Sequence, residues 1–165
     1  MANIEELRNL ADPLKGYQFK VTISNAPGTG AAIDLLQFRC TAAALPGRTI
    51  DQIVTSLDGF DVSDAGRIPG PRTWTTTFTE GTDVQVIERV DSWQKLIYDP
   101  VTGVQASRAD YKRTATIELY GNDKSVTLTR TLVGIWPTDM GEIAFDKASS
   151  EAVTLDVTWA FDYMD

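Results

Sequence analysis

Ala152-Val153-Thr154-Leu155-Asp156-Val157-Thr158-Trp159-Ala160-Phe161-Asp162-Tyr163 is the stretch whose reading decides the fold. Val153, Leu155, Val157, Trp159, Phe161 and Tyr163 take every second position, and Thr154, Asp156, Thr158, Ala160 and Asp162 take the others. Side chains alternate faces along an extended backbone, so the run predicts a long strand with one buried apolar face and one polar, mildly acidic face. Just upstream, Gly134-Ile135-Trp136-Pro137-Thr138-Asp139-Met140-Gly141-Glu142-Ile143-Ala144-Phe145-Asp146 reads as a strand end, a Pro/Gly turn and a second short strand. Together these segments call for a sheet to which earlier strands pair.

The same alternation recurs towards the N-terminus. Tyr17, Phe19, Val21 and Ile23 alternate with Gln18, Lys20, Thr22 and Ser24. The Gly-rich segment 25–32 then reads as a hairpin turn into a second strand over 35–43, with Leu36, Phe38, Cys40 and Ala42 on one side. Trp74, Thr76 and Phe78 alternate with Thr73, Thr75 and Thr77 in a Thr-rich strand. Tyr111, Arg113, Ala115, Ile117 and Leu119 alternate with Lys112, Thr114, Thr116 and Glu118, and 101–110 before them reads as an exposed loop. Gly121-Asn122-Asp123 turns that strand into Val126, Leu128, Arg130 and Leu132, interleaved with Thr127, Thr129 and Thr131: a hairpin.

One substantial helix stands out over 82–98. Thr82-Asp83-Val84-Gln85 is a capping-box candidate, Val86, Val90, Trp93 and Ile97 recur at spacings of three and four, and Asp99-Pro100 ends the run. Its apolar stripe is suited to sealing the open face of the sheet. A shorter helix, capped by Asn3 with Ile4, Leu7 and Leu10 on one face and Pro13 at its end, makes 1–13 an arm. One or two turns need a docking surface, either the chain's own core or a neighbouring subunit. In 48–72 the pattern loosens into a long hairpin, with strands near 52–57 and 60–64 around the tight-turn pair Asp58-Gly59. A two-stranded ribbon is barely stable alone, so this one either folds back on the core or is covered by another subunit.

The sum is one domain over 1–165 of the α+β class, mainly β: an antiparallel sandwich or open barrel of about six to seven strands with one flanking helix. At 165 residues and 42% hydrophobic, the chain can bury a core without covalent staples. Its formal net charge of -8 repels phosphate backbones and favours solubility. The best basic cluster, Arg108, Lys112 and Arg113, is small. The single cysteine, Cys40, excludes an intrachain disulfide and reads as a small core residue. The N-terminus lacks a basic region followed by an apolar stretch, so the expectation is a cytoplasmic origin without membrane anchoring.

Chemistry is conspicuously short of parts. With no histidine, the usual general base and the commonest nitrogen metal ligand are gone. One cysteine excludes thiolate zinc sites. Glu118, Asp139, Glu142 and Asp156 could supply a carboxylate pair, but no spacing selects one, and they read as solvated strand residues. The Asp-rich segment 58–64 lacks the spacing and terminal Glu of a calcium loop. Gly28-Thr29-Gly30 has neither the Lys-Ser/Thr nor the following helix of a phosphate loop. Trp74, Trp93, Trp136 and Trp159 sit among apolar residues rather than basic ones, which points to core packing over base stacking. No enzyme, cofactor or metal is expected. A monomeric hydrolase with a carboxylate cleft and a monomeric ligand-binding barrel with an apolar cavity remain the distant alternatives.

What the sequence does pose is a problem of edges. Strands with apolar faces must end somewhere, and a ring of copies removes the unpaired margins. Here a resemblance bears on the reading. Gly134-Ile135-Trp136-Pro137-Thr138, Gly141-Glu142-Ile143-Ala144-Phe145-Asp146 and Val157-Thr158-Trp159-Ala160-Phe161-Asp162-Tyr163 resemble the C-terminal end of tail tube proteins from contractile-tailed bacteriophages. Ala42-Ala43-Ala44-Leu45-Pro46-Gly47 and Val90-Asp91-Ser92-Trp93-Gln94 are similar to the family's other recurrent stretches, in the same order, so the likeness runs from about Pro13 onward.

The resemblance implies a structural subunit that forms hexameric rings stacked into a hollow channel for DNA passage into the host cell. It implies a helix facing the tail sheath protein and polar strand faces towards the lumen: Thr114, Thr116 and Glu118 with Thr127, Thr129 and Thr131. Whether the polar face over 154–162 joins them is open. Ile4, Leu7, Ile53, Val54, Leu57, Asp58, Phe60, Val62 and Arg67 become the inter-ring contacts. The implied partners are other copies of the chain, sheath, baseplate and tail terminator proteins, a tape measure protein in the lumen, and DNA that passes without specific binding. Assembly in the host bacterial cytoplasm and residence in the virion tail follow. The inner tube of a phage-derived contractile injection system, or a secretion-system ring protein, is the alternative on the same fold.

Overall fold

The computed structural model describes residues 4–28 and 33–165, with the side chains of Glu6, Leu7, Ile33, Asp34 and Leu35 outside that description. The expected Asn3 cap and positions 29–32 of the expected turn therefore lie outside the described residues. In chain order the elements are α1 Ile4–Arg8, β1 Phe19–Ser24, α2 Ile33–Arg39, β2 Cys40–Ala43, β3 Gln52–Leu57, β4 Phe60–Ala65, β5 Thr73–Thr79, α3 Gln85–Ile97, α4 Arg108–Tyr111, β6 Arg113–Tyr120, β7 Val126–Met140, β8 Thr154–Ala160 and β9 Tyr163–Met164.

Six strands hydrogen-bond in the antiparallel order β1-β6-β7-β8-β5-β2, β9 adds a seventh against β7, and β3–β4 forms a separate ribbon. The mainly antiparallel β-architecture with one long helix is the one expected from the alternation. β7 joins two leaves. Its first part pairs β6 from Tyr120↔Val126 to Arg113↔Ile135, and its last part pairs β8 from Trp136↔Ala160 to Met140↔Val157.

Two expectations for 134–146 are corrected here. The strand does not stop at Gly134 or Pro137, and 141–153 carries no second short strand. Pro137 is tolerated because the register shifts between Pro137 and Asp139, where a missing N–H breaks no regular ladder. Gly134 sits at the changeover with φ 74°, in a region that favours glycine, and a Cβ there would collide with the Asp162 carboxylate.

The core lies between the leaves. Val21, Ile23, Ala115, Ile117 and Leu132 come from one side, Trp74, Phe78, Leu155, Val157 and Trp159 from the other, and α3 adds Val86, Val90 and Trp93. Trp159 is the centre of an aromatic stack, 6.2 Å from Trp74 and 5.4 Å from Trp93 between ring centroids. Each indole N–H finds an acceptor: Trp74 reaches the Ala44 carbonyl at 2.7 Å, Trp93 the Tyr111 carbonyl at 2.9 Å and Trp159 the Thr76 hydroxyl at 2.8 Å. The core reading of these three tryptophans holds, while Trp136 is partly buried against Tyr111.

Segment 33–39 is a helix rather than the start of a strand. Leu36 and Cys40 are four apart, so a helix and a strand both place them on one side; Phe38 separates the two readings, being 78% exposed while Leu36 is 1% exposed. The expected β1–β2 hairpin is consequently absent: β1 pairs β6, β2 pairs β5, and α2 packs on β1, β2 and β5, across the gap between the two ends of the sheet.

Helix α3 also starts differently from the capping-box reading. Its N-cap position is Val84, at φ 51°, without a side-chain cap of its own. The carboxylate of Glu80 accepts instead from the N–H groups of Gly81 at 2.9 Å, Val86 at 3.4 Å and Ile87 at 2.7 Å. An anion so placed satisfies orphan donors and complements the helix dipole. Arg39 at the end of α2 pairs with the same carboxylate at 2.7 Å, so two helices and the end of β5 meet on one buried acid.

Candidate assembly surfaces

The β3–β4 ribbon is a plain hairpin of six register pairs, from Gln52↔Ala65 to Leu57↔Phe60. Asp58 at φ 50° and Gly59 at φ 82° form the positive-φ turn that matches strand twist, as the Asp-Gly pair predicts. At the base, Asp51 N–H donates to the Arg67 carbonyl at 2.9 Å and Gly66 N–H to the Asp51 carbonyl at 2.6 Å. Its two faces differ. Ile53, Thr55, Leu57, Phe60, Val62 and Asp64 share one, and Gln52, Val54, Ser56, Asp61, Ser63 and Ala65 share the other, where Gln52 Nε2 donates to Ser63 Oγ and Ser56 Oγ to Asp61 Oδ1, both at 2.5 Å. Every residue of the ribbon is exposed, so it does not fold back on the core.

The three strands β1, β6 and β7 present a continuous polar face. Their registers place Lys20 beside Glu118 and Thr129, Thr22 beside Thr116 and Thr131, and Ser24 beside Thr114. Thr127 is exposed but falls where the register shifts between Leu119 and Tyr120, so it is not paired into this face. Five of the six hydroxyl and carboxyl residues expected on one surface, Thr114, Thr116, Glu118, Thr129 and Thr131, are thus brought together, and Lys20, Thr22 and Ser24 extend the face. Those three were visible as the polar half of β1; only the pairing of β1 with β6, nearly a hundred residues away, puts them here. Glu118 accepts from the Tyr120 hydroxyl at 2.7 Å, and this bond, with lesser help from desolvation, holds the Tyr120 phenol above its ordinary pKa.

No family model matches the chain. The tail tube protein gp19 of Enterobacteria phage T6 is 30% identical over 132 residues, covering 76% of this chain and 78% of that protein. The chain belongs to the tail tube protein family. It is a structural subunit of a phage tail. The fold is shared with two cryo-EM structures of an extracellular contractile injection system: the PVC sheath-tube complex, at TM-score 0.66 and 14% identity over 100% of this chain and 97% of that one, and the PVC sheath/tube terminator, at TM-score 0.70 and 16% identity over 94% and 97%.

For a tail tube protein the remaining charged groups have structural work. Arg113 donates to the carbonyls of Asn25, Ala109, Asp110 and Lys112 at 2.8–3.1 Å, and Lys112 pairs with Asp162 at 2.6 Å. Arg89, buried in α3, donates to the carbonyls of Ala26 and Gly28 at 3.0 and 2.8 Å and ties the helix to the end of β1. Among the described residues no three His, Cys, Asp or Glu side chains gather as metal ligands, and no helix is long and apolar enough to cross a membrane. Cys40 packs against the core, and burial pushes its thiol up to about 11.

The N-terminal segment carries exposed Ile4, Leu10, Leu14 and Tyr17, while the Leu7 side chain lies outside the described residues. At the base of the ribbon a hollow of about 380 Å³ opens between Pro46, Arg48, Ile68, Pro71, Arg72 and the end of the chain at Phe161 to Met164.

Proposed function

We propose that six copies of the chain close into a ring, and that rings stack into a hollow tube that conducts DNA into the host cell. The observation that carries this reading is the exposed β3–β4 ribbon. A two-stranded ribbon is marginal on its own, and covering each large apolar side chain is worth about 1.5–3 kcal/mol, so Ile53, Leu57, Phe60 and Val62 gain most from a second molecule. The sheet ends at β1 and β2, two different margins, which suits a head-to-tail contact that closes by rotation.

On this reading 1–165 acts as one tube domain, with 1–13 an arm and 48–72 the stacking loop. Thr114, Thr116, Glu118, Thr127, Thr129 and Thr131 line the channel with Lys20 and Thr22. Ile4, Leu7, Ile53, Val54, Leu57, Asp58, Phe60, Val62 and Arg67 contact the next ring. Helix α3 faces outward, where a sheath protein would lie; the sheath-tube and terminator assemblies of the injection-system neighbours support sheath and terminator partners. A baseplate protein starts the tube and a tape measure protein fills it before DNA does. A net charge of -8 keeps the wall from gripping phosphates, so DNA passes without specific binding. The subunit performs no catalytic step, needs no cofactor, and assembles in the bacterial cytoplasm before joining the virion tail.

Negative-stain microscopy of the concentrated protein tests the proposal. Rings with six-fold class averages and uniform tubes are the expected result. Solitary particles at high concentration, even after seeding with baseplates, would overturn it.

A further inference from the structure

Leu155, Val157, Trp159 and Phe161 are all buried, and alternation would carry Tyr163 inward after them. It does not. Tyr163 is 55% exposed, and Met164 is the residue that packs against the core. The phase resets at Asp162, whose carboxylate lies against Gly134, where β7 passes from one leaf to the other. β7 shows the same reset, since Leu132 and Ile135 are three apart and both fully buried. Tyr163 and Asp165 therefore turn away from the core, and both are exposed.

The pairing of β9 shows which face they join. Met164 stands opposite Leu132 and Tyr163 opposite Val133. Asp165 and Thr131 then exchange both backbone bonds, Asp165 N–H donating to the Thr131 carbonyl at 2.9 Å and Thr131 N–H to the Asp165 carbonyl at 3.3 Å. Directly opposite residues of an antiparallel pair share a face. Thr131 is in register with Thr116, and Thr116 with Thr22. One row, Thr22, Thr116, Thr131 and Asp165, thus crosses four strands about 5 Å apart, and β9 is the fourth strand of the polar leaf.

This placement changes the charge of the face. Between the turn at 121–125 and the Lys112–Asp162 pair, the charged residues in register on it are Lys20, Glu118 and Asp165. Lys20 and Glu118 stand directly opposite each other, so from beyond a Debye length of about 8–10 Å they act as a neutral pair. Asp165 faces only the Thr131 hydroxyl across the ladder. Arg48, which donates to the neighbouring Met164 carbonyl at 3.1 Å, forms no ion pair with it.

We infer that Asp165 belongs to the channel wall and is the acid that gives the wall its sign, repelling the phosphates of DNA in transit. Glu118, neutralised by Lys20, adds little net charge. This assigns a further wall residue within the tube reading and rests on that reading.

Thiol labelling of assembled tubes tests the placement. In a Cys40→Ser background, Thr129→Cys marks the polar face and Val101→Cys, in the 91% exposed loop position after α3, marks the outside. Asp165→Cys should behave as Thr129→Cys does, reacting with N-ethylmaleimide but shielded from a long-chain PEG-maleimide that Val101→Cys accepts. Asp165→Cys open to the long reagent while Thr129→Cys is shielded overturns the inference and leaves the tube reading standing. Asp165→Cys closed to both reagents overturns it as well, by placing the residue in a joint between copies. Thr129→Cys open to the long reagent removes the polar face from the channel, and the inference with it.

Co-sedimentation with a short DNA duplex tests the charge. Natural tubes should leave the duplex in the supernatant. Asp165→Lys tubes should pellet about tenfold more of it at 50 mM salt, an excess lost by about 200 mM. Tubes of Lys20→Gln/Glu118→Gln, which lose the opposed pair together, should behave as the natural ones. Retention by the paired variant equal to that of Asp165→Lys, or none by Asp165→Lys, overturns the assignment.

Discussion

The indole N–H of Trp159 donates to Oγ1 of Thr76 at 2.8 Å, on neighbouring strands, with both residues out of solvent. Thr76 faces inward between Trp74 and Phe78, so its hydroxyl is the polar exception on an apolar strand face, and the indole uses it. Replacing Thr76 by Val keeps the shape and strands the indole N–H, at a cost of about 1–3 kcal/mol. Thr76→Ser should cost less than Thr76→Val despite the greater loss of volume. Urea denaturation of the unassembled protein measures both, and the reverse order would show that packing rather than the hydrogen bond decides at this site.

Glu80 serves three backbone N–H groups and Arg39 at once. Glu80→Ala leaves those three donors without their anion and the Arg39 guanidinium with Asp83 alone, at 2.8 Å, and should cost about 3 kcal/mol. Thr82→Ala, at the position a capping-box reading would favour, should cost under about 0.5 kcal/mol. Equal effects from the two would place the cap at Thr82 after all.

The ribbon gives the core nothing. Deleting 51–69 and closing the gap with a short Gly-Ser linker should leave the midpoint of urea unfolding within about 10% of the natural chain, because no residue of the buried cluster lies in that range. The same variant should fail to elongate into tubes. Normal tubes from it would remove the ribbon from the stacking contact.

On the proposed channel face, Glu118 stands in register with Lys20 and Thr129. Glu118→Lys creates a cationic patch without touching the buried cluster. Assembly should proceed, and DNA passage should slow, most at low salt, where a phosphate contact is strongest. Unchanged ejection kinetics from normal tubes would take Glu118 off the wall.

Burial holds the Cys40 thiol at about 11, above its unfolded value, so the native state favours the neutral thiol. The stability this contributes is intact below the unfolded pKa and is lost as pH rises through about 11. Alkylation by iodoacetamide at pH 8 should be at least about tenfold slower in the folded subunit than in urea. Equal rates would mean the thiol is open to solvent.

How much of this was legible in the sequence depends on how local each cause is. β8, the β6–β7 hairpin and the stripe on α3 each repeat one period long enough to leave a single reading. The Asp58-Gly59 turn is readable because only a few residue types accept two consecutive positive φ angles. Segment 33–39 was not readable, because Leu36 and Cys40 satisfy both periods and only the exposure of Phe38 separates them. Gly134 and Pro137 look like a stop, yet the register shift after Pro137 absorbs the missing donor, and β7 runs on. Glu80 caps α3 from outside any local motif. The pairing of β1 with β6, and hence the place of Lys20 and Thr22 on the polar face, is set by contacts far apart along the chain, which no window of sequence contains.

A sole thiol, neutral and wedged against the core, has one further consequence. In an oxidising medium, accessible thiols cross-link neighbouring molecules at random. A subunit with its only thiol half-buried against the core meets little of that hazard, so long storage in air should leave its electrophoretic mobility the same with and without reductant.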